Sequence, residues 1–388
     1  MNPILFECSS LTRVAARDSN AREILAWTIA QGRDGLIGGF ELGNEQNTVY
    51  TAQEMADNFA VLWDLVQELW PDSEGRPALF GPDPHSCKQD GCETDKLQWI
   101  GDFINFTLSQ GVPLYAATHH EYIEVDDSTW TSPEKLDVGE DIAVDINRTV
   151  ATFSAPFDGT YVLRVAGEIG PHNGGSPPCD HSSMRWAVFG DSLWYADSLA
   201  LKAKHGYDLH CRQDFIGADY GLCDCSTGLP LPDFYTALAW AQTMGPGVLR
   251  ASIETANASA VRAYAHCSPA GDGGVTALIV NLAAEAVNLT LFKEDGTSGL
   301  AGAGTEQRRV VWSLEGSQFA NTSITGGIGL ASTAVTLNDD LLALDAQGNV
   351  PAMAGVTETR DSASKVTVAA ESVTFVTFPD ASATACVS

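Results

Sequence analysis

The sequence predicts an α/β chain: part of a (β/α)8 barrel, followed by an antiparallel β-sandwich. Between residue 19 and about 245, helical and strand patterns alternate at barrel-like spacing, which implies a parallel sheet with helices outside. From about residue 247 the pattern changes to short β-branched runs separated by Gly, Asn and Asp turns. The 388 residues are 44% hydrophobic and 18% charged, so the chain is long enough for two cores and is not disordered by composition. The change of character falls at Gly245-Pro246-Gly247 and divides the chain into 1–246 and 247–388.

The elements follow in order. Ser19 is placed to cap a helix over 19–32, with Ile24, Leu25 and Ile29 on one face. GLIGGFELGNE (35–45) is a short apolar strand that ends in polar residues. Residues 51–70 form an amphipathic helix, with Met55, Phe59, Leu62, Val66 and Leu69 spaced by three or four. PALFGPD (77–83) is a strand, 95–111 a helix closed by Gly111, and VPLYAATHHEY (112–122) a strand. An acidic loop over 123–160 holds a helix after Pro133. Strands over 160–168 and 207–215 and helices over 184–206 and 232–245 complete five barrel strands. The sandwich strands are RAYAHCS, TALIVNL, NLTLF, RRVVWSL, TAVTLN, KVTVA and SVTFVTF. Trp63, Trp70, Trp186 and Trp194 fall on amphipathic helices and read as core.

Charge excludes several partners. Acidic residues outnumber basic ones 50 to 21, for a net charge of −29. Nucleic acid, anionic membrane surfaces and polyanions all need a positive field. No apolar run is long enough for a transmembrane segment. Nine cysteines and five sequons, at Asn105, Asn147, Asn257, Asn288 and Asn321, lean toward a secreted, extracellular or lysosomal/vacuolar glycoprotein with disulfides. Residues 1–20 lack the apolar stretch of a signal peptide. Cys87 and Cys92 flank a short acidic loop and are placed to close on each other, and Cys8 is the natural odd one out. Cys179, Cys211, Cys223 and Cys225 read as loop disulfides rather than zinc ligands. No phosphate loop or Ser-His-Asp motif is present, and no cofactor is called for.

Two glutamates, Glu45 and Glu168, end strands in polar, Gly-rich contexts, where barrel chemistry is carried. A retaining glycosidase needs such a pair: a proton donor with raised pKa and an ionised nucleophile, about 5–5.5 Å apart. Asn44, just before Glu45, suits a sugar 2-OH. The plain alternative for either glutamate alone is a strand-end cap or ion pair. His119, His120 and Glu121 invite a metal reading, but adjacent strand residues diverge and make a poor shared ligand set.

ELGNE (41–45), HHEY (119–122), GE (167–168) before a Gly-rich loop, RQDFIGADYGL (212–222) and LPDFYTALAW (231–240) together resemble the heparanase family, glycoside hydrolase family 79, and its plant-type heparanase-like β-glucuronidases in particular. The similarity extends to VTFVTFPDASATACVS at the C-terminus. The resemblance implies a barrel of the clan A type plus a β-sandwich, and retaining hydrolysis of β-linked glucuronides. It implies Glu45 as acid/base after barrel strand four and Glu168 as nucleophile after strand seven, so that strands four to eight are present. Asn44 matches the sugar-binding Asn. Tyr122, with His119 and His120, matches the cluster that orients the nucleophile. Gln213, Gly217 and Tyr220 match the loop that holds the glucuronate carboxylate. Cys267 and Cys386 match a pair joining the first sandwich strand to the tail. Glu121 departs from the apolar or aromatic residue expected there; pleat alternation puts it with His119, away from His120 and Tyr122.

Five strands cannot close a barrel. The expectation is therefore that roughly 150 upstream residues are missing, as a fragment, a gene-model truncation or a separate N-terminal chain that would be a partner. The acidic charge argues against heparan sulfate and for a weakly charged glucuronate-bearing glycan, such as an arabinogalactan side chain. The competing functions are a catalytically impaired glycan- or protein-binding relative and a clan A glycosidase of other sugar specificity.

Overall fold

The computed structural model describes residues 4–8, 20–157, 160–173, 187–254, 258–291, 306–319, 327–361 and 364–387. The chain forms two compact units. One holds the residues up to Tyr122 with Glu140–Ile169 and His205–Arg212; the other holds Ile123–Gly139, Gly170–Lys204 and the chain from Gln213 onward.

The first unit is built on six strands in sequential order: β1 (Ile4–Cys8), β2 (Ile37–Leu42), β3 (Ala78–Gly81), β4 (Leu114–Tyr122), β5 (Leu163–Gly170) and β6 (Leu209–Arg212). The registers β1–β2, β2–β3, β3–β4 and β5–β6 are parallel. The sheet corrects the expected five strands, because Ile4–Cys8 pairs with β2 and adds a sixth. That five-residue segment has no alternation and no preceding helix to mark it as a barrel strand. Counted back from the last strand, Glu45 and Glu168 remain three strands apart. The last strand is shorter than the expected 207–215, covering only Leu209–Arg212.

Helices α1 (Asn20–Ala30), α2 (Ala52–Leu69), α3 (Thr94–Ser109) and α4 (Pro133–Ser154) accompany these strands. Thr51 and Glu54 form a reciprocal capping box at the start of α2. Its Met55, Phe59, Leu62 and Val66 are buried, and Phe59 meets Phe103 of α3 edge-on at 4.9 Å. Phe80, Ala116 and Val165 form a small apolar cluster from three strands. On α1 only Leu25 of the expected apolar face is fully buried, while Ile24 and Trp27 are exposed.

The second unit contains an eight-stranded sheet of order β13-β12-β11-β16-β9-β8-β7, with β14 also on β11. The strands are β7 (Val248–Leu249), β8 (Val261–Cys267), β9 (Val275–Asn281), β11 (Glu306–Gly316), β12 (Val335–Leu337), β13 (Asp340–Leu341), β14 (Val356–Asp361) and β16 (Ser372–Phe378). All the pairings are antiparallel. A two-stranded ribbon, β10 (Val287–Leu289) with β15 (Val366–Val368), shares an apolar cluster with this sheet through Ile279, Val376 and Phe378. Helices α5 (Phe189–Lys204) and α6 (Pro232–Thr243) also belong to this unit, which therefore reaches back across the boundary expected at Gly245–Gly247. The reason lies in α5: it is buried on nearly every side and packs on β8, β9, β11 and β16, with Tyr264 donating to Asp197 at 2.6 Å.

Cys87–Cys92 and Cys267–Cys386 are disulfides, as expected. Cys225 is disulfide-bonded, whereas Cys211 and Cys223 are free thiols, which corrects their reading as bonded. Cys179 and the side chain of Cys8 lie outside the described residues, as do Trp186, Asn257 and Asn321. Asn288 is exposed on β10. Asn105 and Asn147 are half-buried on helices, and the Asn147 amide donates to the His205 carbonyl. Among the described residues no helix is long and apolar enough to cross a membrane.

The Cys267–Cys386 bridge closes a separation of 119 residues, far longer than the five closed by Cys87–Cys92. Replacing both Cys267 and Cys386 with Ser is expected to destabilise the chain by about 2–4 kcal/mol, read as a lower urea midpoint at unchanged slope.

Candidate active site

The site is built by the loops that follow β2 and β3 and by the C-terminal ends of β4 and β5 in the first unit. After β2 the chain turns through Gly43, and Glu45 itself takes a left-handed conformation, φ 53° and ψ 39°. A non-glycine residue in that region costs about 1–2 kcal/mol, so neighbouring contacts must hold it there. The Glu45 N–H donates to the Asp83 carbonyl at 2.9 Å, and the Asn47 side chain accepts from the His85 N–H at 2.7 Å. The loops after β2 and β3 are thereby joined. Asp83 is also left-handed, φ 53°, and its N–H donates to Thr118 of β4 at 2.9 Å. The disulfide loop docks on the end of β4: the Cys87 N–H donates to the His120 carbonyl and the Tyr122 N–H to the Cys87 carbonyl, both at 3.0 Å.

These loops and strand ends bring Glu45, Asp83, His120, Tyr122 and Glu168 together. His120 is central and almost wholly buried, while Glu45 and Glu168 keep 26% and 24% of their side chains exposed. His120 Nδ1 lies 2.9 Å from Glu45 Oε1 and 3.7 Å from Glu168 Oε1. Its Nε2 contacts buried Asp83. The Tyr122 hydroxyl donates to Glu168 at 2.5 Å. Oxygens of Glu45 and Glu168 come within 4.8 Å of each other. Two ionised carboxylates at that separation repel by roughly 3 kcal/mol at an effective dielectric of about 20, and a cationic imidazole between them relieves this. Burial alone would lower the His120 pKa, but the hydrogen bonds to Asp83 and Glu45 outweigh it and raise it to about 10. The hydrogen bond from His120 in turn holds the Glu45 carboxyl below its ordinary range, against the opposing effect of burial.

Pleat alternation sorts the β4 histidines as expected. His119 faces the other way, its Nε2 3.0 Å from the Tyr207 hydroxyl. Glu121 shares that side, and burial together with its charge pushes the Tyr207 phenol well above its ordinary value. Glu121 is therefore not in the carboxylate cluster, and His119 does not join His120 and Tyr122 in contacting Glu168. Asn44 precedes Glu45 with its Oδ1 buried and without a hydrogen-bond partner among the described residues, an acceptor available to a ligand. Gln213, Gly217 and Tyr220 lie in the second unit, in the loop that follows β6. There Gly217, φ 153°, has no room for a side chain, because a Cβ would lie 2.5 Å from the Asp214 carboxylate.

Asp83, His85 and Thr118 were not anticipated from the sequence. Asp83 carried a signal in GPD, an acid at a strand end. His85, with Nε2 3.7 Å from Glu45 Oε2, carried none beyond its residue type. Glu45, His120 and Glu168 also form a group compact enough for a metal ion. Both ring nitrogens of His120 already face carboxylate oxygens, so the ring offers no free lone pair while that pairing stands.

No family model matches the chain. It is 26% identical to heparanase-like protein 1 of Arabidopsis thaliana over 395 residues, 95% of this chain and 67% of that protein. It is 27% identical to baicalin-beta-D-glucuronidase of Scutellaria baicalensis, covering 93% of this chain and 62% of that protein. It is 29% identical to heparanase of Gallus gallus, covering 75% and 55%. The chain thus spans between about half and two thirds of the curated relatives it matches. Among solved structures it resembles an arabinofuranosidase with a TM-score of 0.62 at 13% identity, covering 97% of this chain and 75% of that one. It also resembles a xyloglucanase of glycoside hydrolase family 44 from Paenibacillus polymyxa, TM-score 0.56 at 12% identity, covering 92% and 70%. These likenesses show the fold alone, with a sheet of sequential, mostly parallel strands as in part of a barrel.

Gly167, next to Glu168, keeps the space in which Asp83 and Thr118 approach β5. A Cβ there would lie 3.1 Å from Asp83 Oδ1 and 3.3 Å from Thr118 Cβ. Gly167→Ala is expected to displace Asp83 and to cost about 1–2 kcal/mol, measured by thermal unfolding.

Proposed function

We propose that the chain is a retaining glycoside hydrolase of the heparanase family that cleaves β-linked glucuronides. The observation that carries this is the approach of the Glu45 and Glu168 oxygens to within 4.8 Å. Retaining enzymes hold their carboxyl groups at about 5–5.5 Å, too close for the water that an inverting enzyme places between substrate and base. Glu168 attacks the anomeric carbon as the glycosidic C–O bond breaks, and the Glu45 proton passes to the leaving oxygen. Glu45 then takes a proton from water, whose oxygen displaces Glu168 and releases the sugar. The Tyr122 hydroxyl holds the attacking oxygen in place, and Asn44 Oδ1 is positioned to accept from a sugar hydroxyl.

The glucuronide assignment rests on the relatives named as heparanases and a β-D-glucuronidase. The −29 charge favours a glycan with few sulfates over heparan sulfate. The antiparallel unit is then the β-sandwich of the family, and the disulfides at Cys87–Cys92, Cys267–Cys386 and Cys225 suit an oxidising, secretory compartment, with Asn288 the most accessible sequon among the described residues.

A glucuronate-configured epoxide or aziridine probe is expected to form a covalent adduct on Glu168, located by peptide mass spectrometry and lost in Glu168→Gln. No adduct at all would favour a binding protein, and an adduct only with probes of another sugar would move the specificity. On a panel of aryl glycosides the β-glucuronide should turn over fastest, and faster than heparan sulfate.

The pH dependence follows from Glu45. Its pKa is lowered, so the protonated form needed for leaving-group departure declines as pH rises past the ordinary carboxylate range. kcat/KM is expected to be at least about tenfold higher at pH 5 than at pH 7, and a flat profile across that range would exclude Glu45 as the acid.

A further inference from the structure

Asp83 is a buried carboxylate of the first unit that touches both Glu45 and the His120 ring lying between Glu45 and Glu168. Its side chain is 3% exposed, against 26% for Glu45 and 24% for Glu168. Its carbonyl accepts from the Glu45 N–H at 2.9 Å, and its carboxylate contacts His120 Nε2. Its own N–H is tied to Thr118, so the residue is fixed from both ends.

The geometry of His120 adds the decisive point. Nε2 faces an oxygen of Asp83, and Nδ1 faces oxygens of Glu45 and Glu168. While these carboxyls are ionised their oxygens accept and do not donate, so each ring nitrogen must carry a hydrogen. A neutral imidazole has only one. Without Asp83 the ring could satisfy the other two carboxylates as a neutral tautomer with its proton on Nδ1.

We propose that Asp83 is the positioning residue of this site: it holds His120 as a doubly protonated bridge between Glu45 and Glu168, and through its backbone carbonyl it holds Glu45 in its left-handed turn. This rests on the retaining-glycosidase reading for its consequence, but the bridge itself is a property of the unliganded chain. The groups around the ring are Glu45 after β2, Asp83 after β3, Tyr122 on β4 and Glu168 on β5. His85 stands behind Glu45, and Glu41 and Cys211 lie near Asp83, the Cys211 thiol being pushed up to about 11 by burial and by the charges of Glu41 and Asp83. Of these, only Asp83 contacts Nε2 within ion-pair distance among the described residues. The raised value of His120 agrees with this arrangement.

The test is nitrogen-15 NMR of the full chain labelled at histidine, with the His120 signal assigned from its loss in His120→Gln. Both ring nitrogens should carry protons at pH 7 and keep them past pH 8. In Asp83→Asn, which preserves size and leaves an acceptor, the His120 titration midpoint should fall by at least about one pH unit, a tenfold change in proton affinity. The variant should also lose about tenfold or more in kcat on an aryl β-glucuronide, with KM within about twofold. Thr118→Val frees the Asp83 backbone but keeps its charge, and should leave the midpoint in place. If both variants lose activity alike while the midpoint stays put, Asp83 is only a scaffold and the proposal fails. A single ring proton on wild-type His120 at pH 7 overturns it whether or not either variant folds. If the chain cleaves no glucuronide, the NMR result still decides the bridge, and only the proposed function is lost.

Discussion

Two carboxyl groups held within 4.8 Å of each other oppose their own placement, and much of the first unit is arranged around that opposition. The imidazole of His120 sits between them, and its far nitrogen rests on a third, deeper carboxylate. The cluster of three acids and one base is tolerable because the imidazole lies within ion-pair distance of all three carboxyls and the Tyr122 hydroxyl adds a hydrogen bond to Glu168. The backbone serves the same end. Glu45 and Asp83 occupy left-handed turns that most side chains avoid, and each turn is secured by hydrogen bonds to the neighbouring loop or strand. Tyr122, two residues along β4 from His120, reaches Glu168 because the pleat puts both on one face.

The electrostatics also set the resting state apart from the working one. A proton donor is most useful when its pKa lies near the working pH, yet the cation beside Glu45 stabilises its charged form. Glu45 is therefore better placed to accept a proton than to donate one, and the proposed acid step depends on conditions that restore its proton.

The sequence announced the repeating strand–helix order, the shift to short β-branched strands and the two glutamates, because periodicity and strand-end placement are local properties. It also separated His120 from His119 and Glu121, since the alternation of a strand is fixed by geometry. The first strand escaped it: five residues of ILFEC have no pattern that distinguishes a parallel barrel strand from any short run of mostly apolar residues. The grouping of α5 with the antiparallel sheet escaped it for a different reason. A helix such as α5, buried on nearly every side and with polar residues among those buried, has no single apolar stripe to say which sheet covers it. Asp83 and Thr118 depended on the loop after β3 meeting both the loop after β2 and strand β4, which no one-dimensional spacing records.

The bond between Cys267 and Cys386 ties the end of β8 to the last turn of the chain and encloses everything from β9 to β16. Topologically, that stretch is a covalent ring. A peptide bond cut anywhere inside it, by a processing enzyme or by a scavenging protease, opens the ring but releases no piece. Both fragments stay joined through sulfur, and the strands they carry stay at high effective concentration with respect to each other. In an environment rich in proteases and poor in reductants, the lifetime of the antiparallel unit is set by reduction of that bond as much as by hydrolysis of its backbone.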